Sequence, residues 1–198
     1  MLRTSKFAAA IAVVCRSNQN RSLTAHAKLK SLGYNVMSFG TGPVCVLPAP
    51  DNGTFKFKFG TPYREIMAGL PADDRHRSYY TCTGLYNMLE RNAAVKLAPE
   101  RFQECPHEFD LVFTLDTLVF TDTLRYFLAR RPASGNICYV LNLNVLDTME
   151  YAEKGALVLV EFLRLLEIDS NWKNNIDKIV ARFNNKSEWK MSLSVQVY

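Results

Sequence analysis

Four short stretches of this chain are mostly apolar and end abruptly: residues 7–14 (FAAAIAVV), 34–39 (YNVMSF), 110–114 (DLVFT) and 137–144 (ICYVLNLN). A strand with one wet face alternates apolar and polar residues, so a run such as 7–14 has to be covered on both faces. Segments with helical periodicity fall around them: 22–32, closed by Gly33, then 62–70, 78–97, 99–109, 117–131, 150–168 and 171–185. Apolar strands separated by helices predict an α/β fold of three layers, a mostly parallel central sheet with helices on both faces. Residues 43–53 (PVCVLPAPDNG) read as a Pro-rich loop, 54–59 (TFKFKF) as a half-exposed strand or hairpin arm, and 191–198 (MSLSVQVY) as an edge strand. No repeat or linker divides residues 1–198, which are expected to form a single domain.

In such a sheet, ligands collect beyond the carboxyl ends of the strands, where the chain turns into a helix. Cys15 stands there after the first strand, in the sequence VVCRSNQNRS (13–22). The loop Arg16, Ser17, Asn18, Gln19 and Asn20 can wrap so that successive N–H groups point inward. With the amino end of the following helix, those amides form an anion site. Arg21 adds a planar fork for two phosphate oxygens. Positive surroundings also favour the thiolate, which is a nucleophile for phosphoryl transfer. The bland alternative is a cysteine that merely ends a buried strand. Six positions after the other cysteines stand Asp51, Met88, Leu111 and Asn144, so only Cys15 has the arginine spacing. The order strand, loop, helix favours the phosphate site.

A leaving alkoxide needs a proton, and a nearby carboxyl group is the usual source. Asp147, in the loop VLDTM (145–149) after the fourth strand, lies on the same sheet edge as Cys15. It reads equally well as that acid or as the N-cap of helix 150–168. Asp116, after the third strand, reads first as the cap of helix 117–131.

Bulk properties set limits on partners. Residues 1–100 carry 13 Lys/Arg against 6 Asp/Glu, and residues 101–198 carry 11 against 13. A basic first half suits an anionic partner such as a phosphorylated peptide, or simply a solvated face. No window approaches the ~18 uninterrupted apolar residues of a membrane span. The start MLRTSKFAAAIAVVC resembles a weak leader without a small-residue cleavage site. The five cysteines show no framework or C-x-x-C spacing, so no disulfide scaffold or metal site is expected, and the thiols read as reduced and intracellular.

Several strings are unusual and fall in register with one family: VVCRSNQNRS, SFGTG (38–42), LPAPD (47–51), TGLYNMLERN (83–92), PERFQ (99–103), VLNLNVLDT (140–148) and SVQVY (194–198). On these the chain resembles the cysteine-based phosphatases of the RNA polymerase II C-terminal domain, which work with symplekin in RNA 3′-end processing. The resemblance runs nearly end to end. It implies a fold like that of low-molecular-weight tyrosine phosphatases with added helices. It also implies removal of phosphate from serine, mainly the fifth of the heptad repeat, through a phosphocysteine intermediate. Carried over, Cys15 is the nucleophile, Arg21 clamps the phosphate, Ser22 hydrogen-bonds the thiolate, and the amides of Arg16 to Asn20 line the cradle. Asp147 is the general acid that then activates water, and Leu47 and Pro48 border the peptide groove. No metal or organic cofactor is implied. The implied partners are the polymerase phosphopeptide, symplekin and cleavage and polyadenylation factors, with no direct nucleic acid or membrane contact. The implied location is the nucleus, a cytoplasmic pool being compatible.

Three positions depart from that pattern: Arg16 replaces a serine, Asn144 an aspartate three residues before Asp147, and Val46 a lysine before Leu-Pro. They suggest a divergent member or paralogue and keep open a phosphopeptide-binding or scaffold protein of low activity. A small tyrosine phosphatase or arsenate reductase is a further alternative. Against the first of these, Asn20 stands where tyrosine enzymes carry a second loop cysteine, and no Asp-Pro-Tyr segment occurs. Against the second, Cys82 and Cys105 form no evident relay pair.

Overall fold

The computed structural model describes residues 7–198. The basic part of the leader-like start, residues 1–6, lies outside the described residues.

Strand β1 (Ile11–Cys15) is flanked by β2 (Val36–Gly40) and β5 (Leu111–Thr114), both parallel to it. The sheet continues through β6 (Ile137–Leu143), parallel, to β7 (Met191–Val197), antiparallel at the edge, in the order β2-β1-β5-β6-β7. The apolar runs are explained by what covers them. Ile11, Val13, Leu111, Phe113 and Leu141 enter one core with α1 (Arg21–Ser31), α6 (Met149–Ile168) and α7 (Trp172–Lys186). Ala12, Val14, Val112 and Val140 enter a second core under α5 (Thr117–Ala129), sealed by Phe102, Phe109 and Tyr198. Alternate residues of one strand thus serve two cores, and neither face can be polar.

From β1 the chain passes to β2 on one side and then, through a long insertion, crosses to β5 on the other. That reversal opens a crevice at the carboxyl end of β1, which is where Cys15 sits.

The insertion departs most from sequence expectation. The expected loop 43–53 contains a strand, β3 (Cys45–Pro48), paired antiparallel with β4 (Thr54–Phe57). The prolines that suggest a loop lie ahead of it (Pro43), at its last residue (Pro48) and beyond (Pro50), where no ladder N–H is needed. The expected helix 78–97 is two helices, α3 (Asp74–Thr83) and α4 (Leu85–Val95). They are divided at Gly84, whose φ of 68° stops the first. Helix α3 also begins ahead of the expected boundary, because the Asp73 side chain accepts from the His76 N–H and caps it there. Segment 99–109 is not a helix beyond one 3-10 turn at Phe102–Glu104; instead Arg101 bridges to Gly40 and extends the sheet edge. With α2 (Tyr63–Ala68), the insertion packs a third core of Cys45, Leu47, Tyr63, Ile66, Leu85 and Leu89 onto Leu23 of α1. It therefore stands directly over the loop that follows β1.

Candidate active site

Cys15 ends β1 paired with Gly40 of β2, one residue past the last β5 pair, and is buried. The next turn is drawn tight by β2: Thr41 N–H donates to the Cys15 carbonyl at 3.0 Å and Gly42 N–H to the Arg16 carbonyl at 2.9 Å. Asn18 completes the curve with φ 51°, a left-handed conformation that asparagine tolerates better than most side chains.

The hydroxyl of Ser22, in the first turn of α1, lies 3.1 Å from the Cys15 sulfur. Its polarity follows from the neighbours. Asn18 Oδ1 accepts from the Glu100 backbone N–H at 3.0 Å, an obligate donor, so the other end of the amide is the NH2 group. That group donates to Ser22 Oγ at 3.0 Å. Ser22 Oγ, already an acceptor, has its own hydrogen to give to sulfur.

Arg21 is 6 % exposed. Its Nη1 donates to the carbonyls of Leu115 and Val145 and to Asp116 Oδ2, at 3.1, 2.9 and 3.1 Å. The guanidinium is thereby anchored to the ends of two sheet connections. Nη2 donates to Asp147 Oδ2 at 3.3 Å, and Nε is buried without an acceptor in the chain. The Nε–Nη2 edge is the one a tetrahedral anion can engage with two oxygens.

Asp147 accepts from Asn20 Nδ2 at 3.1 Å as well as from Arg21. It does not cap α6; Thr148 does, its hydroxyl accepting from Tyr151 N–H. The cap reading of Asp147 is thus replaced by contact with the cysteine loop. Asp116 does cap α5, through Leu118 N–H at 2.8 Å, while also pairing with Arg21. Sequence reasoning reaches only the first of these two roles. Asn144 turns away toward α5, accepting from Thr117 Oγ1 at 2.8 Å.

Cys15, Ser17, Gln19, Asn20 and Asp147 line a cavity of about 400 Å³ together with Thr83, Thr148 and the apolar side chains of Val46, Leu47, Pro48, Leu85, Met88 and Met149. The sequence-predicted residues divide accordingly. Asn18, Arg21 and Ser22 lie behind the surface, and Ser17 Oγ accepts from the Val46 N–H at 3.2 Å, joining loop to insertion. The Arg16 side chain leaves the cavity for Asp122, 3.9 Å away. The apolar wall of Leu85, Met88 and Met149 is not legible in the sequence; an i, i+3 apolar pair on α4 looks like ordinary core until the insertion is folded over β1.

Two buried titratable groups stand close by. Burial pushes the Cys45 thiol up to about 12, against the opposing hydrogen bond from Gln19, so it stays protonated beside the loop. His26 is held down to about 4, first by burial and then by Lys96 and Lys30; its Nδ1 meets Ser38 Oγ at 2.9 Å. Among the described residues, no three His, Cys, Asp or Glu side chains cluster as metal ligands, and no helix is long and apolar enough to cross a membrane.

The arrangement can bind a tetrahedral anion against the Cys15 sulfur with a carboxyl group and apolar side chains in the same cavity. Comparison with known proteins agrees in sequence and in shape. Residues 9–198 match the model of the Ssu72-like protein family. The RNA polymerase II C-terminal domain phosphatase SSU72 of Dictyostelium discoideum is 42 % identical over 87 % of this chain and 82 % of its own length. The Danio rerio protein of the same name is 36 % identical over 95 % of this chain and 96 % of its own. The crystal structure of Drosophila melanogaster Ssu72 with symplekin, bound to a cis peptidomimetic phospho-Ser5 peptide, superposes with a TM-score of 0.91 at 33 % identity, covering 96 % of this chain and 98 % of that one. By sequence over nearly its whole length and by backbone, the chain belongs to the Ssu72-like family.

Proposed function

We propose that this chain is a cysteine-dependent protein-serine phosphatase, acting as a single domain on the fifth-position phosphoserine of the RNA polymerase II heptad repeat. The observation that carries this reading is the pairing of Ser22 with the Cys15 sulfur and of Arg21 with Asp147, with Cys15 and Asp147 lining a cavity that also holds apolar side chains. A phosphopeptide needs such a site: a polar end for the phosphate and an apolar wall for the residues beside it.

The chemistry divides into two displacements. The Cys15 thiolate attacks phosphorus, the phosphorus–oxygen bond to serine breaks, and Asp147 gives its proton to the departing oxygen. The Nε–Nη2 edge of Arg21 and the loop amides hold the three non-bridging oxygens, where charge is concentrated in transit. Asp147, now a carboxylate, takes a proton from water as that water attacks the phosphocysteine. The phosphorus–sulfur bond breaks, the electron pair returns to Cys15, and inorganic phosphate leaves. Ser22, with its hydrogen aimed at sulfur, stabilises the thiolate both as attacking and as leaving group.

The relatives' substrate supports the heptad assignment, and a symplekin-containing complex and a nuclear site of action go with it. The test is phosphate release from a two-repeat heptad peptide phosphorylated on the fifth serine, at about pH 6.5 with EDTA. Native turnover that vanishes in Cys15→Ser and falls at least about a hundredfold in Asp147→Asn is expected. Binding of the peptide without release by the native chain would make it a phosphopeptide reader instead.

A further inference from the structure

Five peptide planes of the cysteine loop have carbonyls with identified partners, and the partners are of two kinds. The Cys15 and Arg16 carbonyls are held by backbone N–H groups of Thr41 and Gly42, and the Asn20 carbonyl by Thr24 N–H of α1. The Asn18 and Gln19 carbonyls are held by side chains of the insertion. Tyr63 of α2 gives its hydroxyl hydrogen to the Asn18 carbonyl at 2.6 Å. Asn92 Nδ2 and Arg91 Nη2 of α4 donate to the Gln19 carbonyl at 2.8 and 3.1 Å.

In a trans peptide the carbonyl and the next N–H point in opposite directions. Drawing the Asn18 and Gln19 carbonyls outward therefore turns the N–H groups of Gln19 and Asn20 inward. We propose that Arg91, Asn92 and Tyr63 are positioning residues of the anion loop, setting those two peptides so that their N–H groups face bound phosphate.

Several features support a dedicated role over incidental packing. Tyr63 and Asn92 are both wholly buried, where a polar group costs stability unless paired. The Asn92 amide has one orientation, because its Oδ1 accepts from Arg91 Nε and Nη2 at 3.2 and 2.9 Å. Its NH2 group can then only face Gln19, whose Oε1 it also reaches at 3.2 Å. Burial pushes the Tyr63 hydroxyl well above its usual range, so it remains a donor at any working pH. None of the three lines the cavity, so their effect on phosphate has to pass through the loop.

The inference rests on the phosphate-cradle reading, and its test separates the two. Inorganic phosphate binding is measured by calorimetry for the native chain, Tyr63→Phe, Asn92→Ala and Asn92→Asp, with thermal melts to establish the folded fraction. Tyr63→Phe removes one oxygen and keeps the ring in the core. Loss of one donor is expected to weaken phosphate binding about fivefold to tenfold in Tyr63→Phe and in Asn92→Ala. Asn92→Asp, which sets a carboxylate oxygen against the Gln19 carbonyl, is expected to exceed about tenfold. If the native chain binds no phosphate, the cradle reading fails and takes the positioning role with it. If the native chain binds and the folded variants bind equally well, whatever their melting temperatures, Tyr63 and Asn92 are structural and the positioning role alone is overturned.

Discussion

Gly40 ends β2 directly beside Cys15, and its lack of a side chain is what lets the cysteine loop close. A Cβ built there would stand 2.7 Å from the Arg16 carbonyl oxygen, 2.8 Å from Phe59 Cζ and 3.0 Å from the Asn18 nitrogen. Ordinary contact begins at 3.4 Å, so Gly40→Ala requires the loop backbone to retreat by about 0.7 Å on the Arg16 side. The two backbone atoms struck flank Ser17, which means the cradle shifts as a unit instead of losing a single contact. Gly40 is not among the glycines with positive φ, so alanine's backbone preference adds nothing and the effect is steric. Overpacking of this kind costs about 1–3 kcal/mol of stability. Misplacing a reacting group by nearly 1 Å costs about a hundredfold in rate. The expected outcome is a folded Gly40→Ala protein whose kcat/KM on the phosphopeptide is down about thirty- to a hundredfold, with phosphate inhibition weakened in parallel. Gly42→Ala serves as control: its nearest contact is 3.0 Å from the same carbonyl and the next is 3.3 Å. It should lose only a few-fold. A Gly40→Ala enzyme with kcat/KM within about twofold of native would refute the reasoning, since the loop would then tolerate displacement.

Two further outcomes follow from the same structure. His26 titrates near 4 when folded against 6.5 when free, so the unfolded chain binds its proton more readily in between. Stability from this group is therefore complete above about 6.5 and falls as pH drops toward 4, by about 2 kcal/mol between pH 7 and pH 5. Urea unfolding at the two pH values should show that loss, and His26→Gln should flatten it; an equal loss in the variant would exclude His26 as the source. Gly155, inside α6, would place a Cβ 2.7 Å from a methyl of Val145, whose carbonyl holds Arg21 and which lies two residues before Asp147. Gly155→Ala should gain helix propensity of about 1 kcal/mol yet lose activity by about tenfold through displacement of that loop. An active, stabilised variant in paired melting and turnover assays would count against this coupling.

The alternation of apolar runs and helical segments is enough to establish the parallel sheet, because a strand buried on both faces leaves no polar positions for any other arrangement. Cys15, Arg21 and Ser22 are legible for a related reason: they belong to one continuous strand–loop–helix passage, so their proximity follows from local geometry. Asp147 is legible only as a residue on the correct sheet edge, and its reading as a helix cap falls only when Thr148 is seen capping α6. The double engagement of Arg21 with Asp116 and Asp147 joins residues about a hundred or more positions apart, which no periodicity encodes. The insertion is the least legible part. Prolines mask β3, a single αL glycine divides one expected helix into two, and an isolated bridge replaces another. Its outward donors, Tyr63, Arg91 and Asn92, look in sequence like any polar residues on amphipathic helices. Sequence by itself determined the sheet and the strand–loop–helix passage that carries Cys15, since these depend on backbone periodicity and neighbours along the chain. Only the tertiary structure decided what stands behind that loop, what orients its carbonyls and which apolar side chains share its cavity, because those contacts arise from folding residues 43–97 back over β1.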